Sequence, residues 1–480
     1  MERSTSQLSE KATTSKHGSF SAIAAPVPLA DSEGVEALTG HKAELKQTLS
    51  LWALLALSYS NMSVWTAIGG SLSAVFTAGG PVVMVWSWVG VSIVSLAVAA
   101  SLAELCSAWP HAAGQAFWAF RLSPPKWAPF LSYWTALFNI YGAWAIIAAG
   151  CYIQASETLA MAVAFNPDYV QKPSHLVGVY LGILVLAFIC NVFAVRVFDA
   201  ATKLAAGLSI TAILGIIIAL AVATPVKQDA KFVFTSFLNT TGWSSSGLVV
   251  LLGLLQSSFT IIGYDAAAHL AEEATDAARK GPLAVFWGVA ISAVAGFAYI
   301  LALLFAVTDV EGALTSATGS PLWQIFQDSM GLSGATFCMF LNIFSLFLAI
   351  VGILCASSRN VYAQARDKGL PFSSFLSKIH PTLSVPIPAL LLNIFVPAVL
   401  VCIYLGSQVI FYAFFQLTTI GASSFSPVYT HFRSSPPECQ ATWPLTSSRS
   451  VCCFSEDGIR CHRLLGDFPT VWVRLATSFP

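Results

Sequence analysis

The amino-acid sequence predicts an all-α polytopic membrane protein of about ten spans, and three observations carry that prediction. Of 480 residues, 56% are hydrophobic and only 10% are charged. An average soluble domain carries roughly 25% charged residues, so this chain cannot cover a water-facing surface. Thirty-three Phe and 14 Trp add to the apolar excess. The charges are also segregated, leaving long stretches without Asp, Glu, Lys or Arg. A helix needs about 20 apolar residues to cross the hydrocarbon, and these stretches reach that length. The expected surrounding is the lipid bilayer. Net charge is zero and the pI is near 7.1, which removes the basic footprint of a nucleic-acid partner.

Residues 1–46 are rich in Ser, Thr, Ala and charge and lack the apolar core of a signal peptide. They are expected to form a disordered cytoplasmic tail, with the first span as the targeting signal. The charge-free stretch 47–103 holds two spans separated by Gly79-Gly80-Pro81. Stretches 127–156, 173–195, 204–226, 232–264, 281–308 and 329–358 hold one each. Stretch 379–432 holds two, divided near Gly406. The count excludes a seven-helix receptor, and the length of the runs excludes a β-barrel.

Orientation follows from Lys and Arg. With the amino terminus inside, the inner loops carry Arg121, Lys126, Arg196, Lys203, Arg279, Lys280, Arg359, Arg366, Lys368 and Lys378. The outer loops carry only Lys172, Lys227 and Lys231. Both termini are therefore expected in the cytoplasm. Asn239-Thr240-Thr241 is a glycosylation sequon in an outward loop. Asn61-Met62-Ser63 has the same form but lies inside the first span.

Six of the ten Cys are scattered singly through apolar stretches, where Cys behaves as a small hydrophobe. Cys439, Cys452, Cys453 and Cys461 crowd the end without metal-ligand spacing. No metal and no cofactor are expected.

Two spans look broken. The first runs Ser63-Val64-Trp65-Thr66-Ala67-Ile68-Gly69-Gly70-Ser71, and the sixth runs Ser257-Ser258-Phe259-Thr260-Ile261-Ile262-Gly263-Tyr264-Asp265. Free backbone groups are costly inside a membrane, so breaks need a reason. Breaks five spans apart suit a five-plus-five inverted repeat, each half opening with a discontinuous helix. Amides at a half-helix amino end attract a carboxylate, and freed carbonyls attract an ammonium group. Small residues easing close helix packing account for the glycines equally well.

Three segments bring in a family resemblance. Gly79-Gly80-Pro81-Val82 leads through Ala100-Ser101-Leu102-Ala103-Glu104-Leu105 to Ser107-Ala108-Trp109-Pro110-His111-Ala112-Ala113-Gly114-Gln115. Gly263-Tyr264-Asp265 continues through His269 to Glu272-Glu273. Ser357-Ser358-Arg359-Asn360-Val361-Tyr362 continues to Arg366-Asp367-Lys368-Gly369-Leu370-Pro371. In this order the segments resemble the amino acid–polyamine–organocation permeases, and within them the fungal amino acid, GABA and choline permeases. The resemblance covers roughly 47–428, the expected permease domain.

It implies a five-plus-five core that carries a small solute by alternating access. Thr66, Ala67, Ile68, Gly69 and Gly70 are then expected to line the first break and hold a substrate carboxylate. Ile262, Gly263, Tyr264 and Asp265 are expected to line the second and face the amine, with Phe259 as a gating aromatic. Glu104, Arg359, Arg366 and Asp367 are expected to form ion pairs of an inner gate. Glu272 and Glu273 are expected to anchor the helix exit, and His269 to sit in a hydrogen-bonded interface or relay protons.

Three departures stand beside the resemblance. The turn after span two reads Pro110-His111-Ala112-Ala113-Gly114, one glycine fewer than the family's usual Pro-Thr-Ala-Gly-Gly. Many proton-coupled relatives place a Lys mid-span five, whereas Lys203 lies near that span's cytoplasmic end; a proton remains the candidate coupling ion without support from that residue. Relatives usually have 12 spans, whereas residues 429–480 form an atypical tail. The expected function is a secondary active permease for amino acids or small amines such as GABA, in the plasma membrane. No phosphate-binding loop accompanies the spans, and no acid–base cluster of an intramembrane enzyme is present. A choline or polyamine permease is the near alternative, with Trp65, Phe259 and Tyr264 as a cation cage and Asp265 as counter-ion. A non-transporting nutrient sensor or a truncated inactive product are the others.

Overall fold

The computed structural model describes residues 49–407 apart from 167, 194–197, 271, 272, 275, 382 and 384. The tails 1–46 and 429–480, Glu272 and the expected tenth span lie outside the described residues. Among those described, seven helices are long and apolar enough to cross a membrane, and there is one two-residue strand pair.

The first span is broken into three. Helix α1 (Leu51–Met62) starts at Ser50, whose hydroxyl accepts from the Ala53 amide and satisfies one of the donors orphaned at a helix start. It ends at Ser63, which is left-handed with φ 42° and ψ 41°. Helix α2 (Val64–Gly70) resumes there, Ser71 interrupts again, and α3 (Leu72–Thr77) completes the crossing. Strand β1 (Ala78–Gly79) leads into α4 (Gly80–Ala108), which has Pro81 in its first turn, where proline's missing amide costs nothing.

After α4 come α5 (Gln115–Leu122), α6 (Ala128–Phe165), α7 (Pro173–Phe193) and α8 (Phe198–Ala223). Helix α9 (Ala230–Thr235) precedes β2 (Leu238–Asn239), which pairs antiparallel with β1. The sixth span is α10 (Ser246–Thr260), a break, and α11 (Ala266–His269). Helix α12 (Ala277–Ala306), α13 (Val310–Leu314) and α14 (Pro321–Arg366) follow. Gly331, with φ 71° and ψ −178°, divides α14 into an entry segment and the spanning part. Short α15 (Ser373–Leu376) precedes α16 (Ile387–Gly406), which ends at the glycine where the sequence divides its last apolar stretch.

The apolar residues sort into two large cores. One joins the first and second spans to the fifth, sixth and seventh, with Trp65, Trp88, Ile213, Ala267 and Tyr299 among its buried members. The other joins α6, α7, α14 and α16, with Cys151, Tyr180, Ile350 and Leu390 inside it. Spans one and two thus share a core with five, six and seven, while three and four share one with nine, and α14 contributes buried residues to both. The pairing of one and two with six and seven has the spacing of five spans that an inverted repeat gives. Residues such as Ile93, Val94, Val222 and Val294 remain exposed, since apolar side chains facing lipid need no protein partner.

Candidate functional site

The two breaks meet. At the first, the left-handed Ser63 separates α2 from α1, its own amide closing α1 on the Tyr59 carbonyl. Thr66 donates its hydroxyl to the Ser63 carbonyl (2.8 Å), and the two hydroxyl oxygens lie 2.6 Å apart. Thr66, Ala67, Ile68, Gly69 and Gly70, expected to line the break, instead form the helical segment between two interruptions. The reason is local: Ser63 and Ser71 carry the non-helical backbone.

Glycine is needed at 69 and 70 for packing. A Cβ on Gly69 would lie 2.6 Å from Leu322 Cδ2, and one on Gly70 would overlap Ile153. Trp65 is committed as well. Its indole Nε1 donates to Ser209 Oγ at 2.9 Å, and its ring meets Tyr299 edge-on at 5.9 Å.

The second break spans Ile261 to Asp265. Gly263 has φ 95°, a backbone conformation that a side chain disfavours. A Cβ there would stand 3.9 Å from the Asn61 carbonyl, so this break lies beside the end of α1. Gln256 Nε2 donates to Ser71 Oγ at 3.1 Å and ties the helix before the second break to the first span's other interruption. Ile262 and Tyr264 are half-buried, and Phe259 packs against the second core.

Asp265 turns away from the α1 end. Its Oδ2 accepts from Gln115 Nε2 at 3.0 Å and lies 3.5 Å from His269 Nε2. Gln115 in turn accepts from Asn139 Nδ2, and His269 Nδ1 meets the Ala112 carbonyl at 2.8 Å. The arrangement carries a line of hydrogen bonds from α6 to the sixth span. Gly114 permits it. With φ 51°, it supplies the positive φ of the 110–114 turn, and a Cβ there would lie 3.0 Å from His269 Cε1.

Of the expected gate residues, Arg359 is buried and its Nε donates to Glu273 Oε1 at 2.9 Å. Its ion-pair partner is therefore the acid at the sixth-span exit. Arg366 pairs with its neighbour Asp367 at 3.8 Å, and Glu104 is half-buried near the end of α4. The Leu49 amide donates to the Glu273 carbonyl at 3.0 Å, so the start of the first span and the exit of the sixth are stapled together.

Sequence reasoning missed Gln115, Asn139 and Glu157. Gln115 entered only as part of a segment of the resemblance, Asn139 carries no motif, and Glu157 borders the charge-free stretch 127–156. Among the described residues no group of three or more His, Cys, Asp or Glu could hold a metal ion. The arrangement brings the amino end of α2 and the break at Gly263 to the same side of the α1 end, where the Asn61 carbonyl lies.

Comparison with known proteins agrees. The profile of the amino acid permease family matches residues 49–428. The chain is 36% identical over 374 residues to a protein of Macrophomina phaseolina named an amino acid/polyamine transporter, covering 77% of this chain and 81% of that one. It is 31% identical over 389 residues to a choline transporter of Saccharomyces cerevisiae, covering 80% and 69%. It is 32% identical over 411 residues to an amino-acid permease of Arabidopsis thaliana, covering 82% and 80%. A broken first and sixth span, a core that unites spans one and two with six and seven, and this match lead to one statement: the chain belongs to the amino acid permease family and is a multi-pass transmembrane transporter of amino acids or related amines.

Proposed function

We propose that the protein is a secondary active, proton-coupled permease that takes up an amino acid or a related small amine such as GABA. It works in the plasma membrane with both termini cytoplasmic. The observation that carries the substrate reading is the meeting of the two breaks. The amino end of α2 after Ser63 faces a substrate carboxylate, and the Asn61 carbonyl beside Gly263 faces its amine. Neither end of the zwitterion then needs a charged side chain. The orientation is supported by the ten inner against three outer Lys and Arg of the loops.

A choline cage draws less support. Trp65 is 1% exposed and hydrogen-bonded to Ser209, and Asp265 is held by Gln115 and His269. The test is uptake of radiolabelled amino acids, GABA, choline and polyamines in permease-deficient yeast at several pH values. Saturable uptake of an amino acid or GABA, faster at acid external pH, is the expected result. Uptake of choline alone would overturn the zwitterion site.

A further inference from the structure

Glu157 lies in α6 and is 3% exposed. It receives one hydrogen bond, from Asn342 Nδ2 to Oε2 at 2.9 Å, while Oε1 has no partner. No Lys, Arg or His forms an ion pair with it among the described residues. Its surroundings hold acceptors to spare. Gln154, one turn earlier on the same helix face, is buried with its amide oxygen unpartnered, and so is the Asn342 oxygen. The Tyr299 hydroxyl of α12, also buried without a partner, lies within the field of the acid. The titratable neighbours are Tyr299 and, beyond it, Cys338 of α14.

An ionised carboxylate with one amide donor and no counter-charge is costly to hold inside a protein, and more so at membrane depth. A neutral acid removes that cost, and its O–H adds a donor among the unpartnered amide oxygens of Gln154 and Asn342. The pocket also adjoins the broken helix. A Cβ on Gly69 would lie 3.5 Å from Asn342 Nδ2, and Ile153, one turn before Glu157, packs on Gly70. The acid therefore stands where α2, a member of the first core, meets α6 of the second. A movement of α2 against α6 would open this seam to water.

We propose that Glu157 is a proton-binding site of the transport cycle, an assignment that rests on the proton-coupled reading above. When the seam opens to one side, a hydronium ion gives its proton to the carboxylate and an O–H bond forms. The neutral acid permits the closed seam seen here. When the seam opens to the other side, that O–H bond breaks and the proton passes to water.

Two measurements on the full-length protein in lipid test it. Infrared spectra at neutral pH should show a protonated-carboxyl stretch that Glu157→Gln removes; a spectrum unchanged by the substitution overturns the assignment. In proteoliposomes, a gradient of one pH unit sets a limit of about tenfold accumulation for one proton per substrate, since that gradient is worth about 1.4 kcal/mol. The tracer is whichever radiolabelled panel member the wild type accumulates in yeast. Wild type should approach the limit, while Glu157→Gln should fall to equilibration yet keep tracer exchange without a gradient and elute as a folded monodisperse species. Gradient-driven accumulation retained by the variant overturns the role of Glu157 alone. Exchange lost from a folded variant does so too, because it points to a packing role. Wild-type accumulation indifferent to pH overturns the proton-coupled reading and Glu157's part in it together.

Discussion

The Arg359 guanidinium donates from Nε to Glu273 Oε1 at 2.9 Å and so joins α14 to the segment that leaves the sixth span. Both side chains are largely out of solvent, 4% and 13% exposed. Removing one partner of a buried pair strands the other charge, at about 3–5 kcal/mol. Arg359→Ala should therefore lower the thermal midpoint in detergent markedly. The swap Arg359→Glu with Glu273→Arg should recover part of the loss. A midpoint unchanged in Arg359→Ala would show that the pair contributes nothing.

Gly263→Leu should cut uptake below about a tenth of wild type with surface expression kept. The backbone at φ 95° disfavours any side chain, at about 1–3 kcal/mol of strain. The added leucine would also project toward the Asn61 carbonyl, into the space assigned to substrate. Labelled uptake with surface biotinylation checks it, and normal uptake would remove Gly263 from the site.

Asp265→Asn should impair choline and neutral amino acid uptake to the same degree wherever both are measurable. The acid is held by Gln115 and His269, and a hydrogen bond to a charged group contributes about 1.5–3 kcal/mol. Gln115→Leu should produce a loss of the same kind, since it removes the donor. A selective loss of choline uptake would instead restore Asp265 as a substrate counter-ion.

Asn239 is exposed on β2, and its Oδ1 already accepts the Thr241 hydroxyl at 2.7 Å and the Thr241 amide at 3.1 Å. The sequon is thus pre-folded into a tight turn, with Nδ2 donating to the Trp243 carbonyl. Protein from yeast membranes should drop in apparent mass on endoglycosidase treatment, and Asn239→Gln should abolish that drop. No shift in wild type would argue against an outward-facing, modified loop.

The long helices were legible because charge-free runs and hydrocarbon thickness share one length scale. The breaks were legible only as neighbourhoods. Paired glycines drew attention to residues 69 and 70, yet the backbone turns at Ser63 and Ser71. The Ser71 hydroxyl and amide both donate to the Ala67 carbonyl, at 2.6 and 3.1 Å, a local arrangement that hydropathy does not reveal. Polar partners across the bundle left no trace in local pattern. Gln115 and Asp265 are 150 positions apart, and Asn342 and Glu157 are separated by 185. Such pairings are set by which helix faces meet, and hydropathy does not encode that.

Two cores joined through α14 also divide the molecule's cooperativity. A domain with one core opens as a unit, whereas separate apolar clusters open at separate free energies. Deuterium should therefore enter the amides of α4 and α12 together, at one rate, and those of α7 and α16 together at another. A destabilising substitution at Trp88 would then quicken exchange in its own group and leave the other near its original rate.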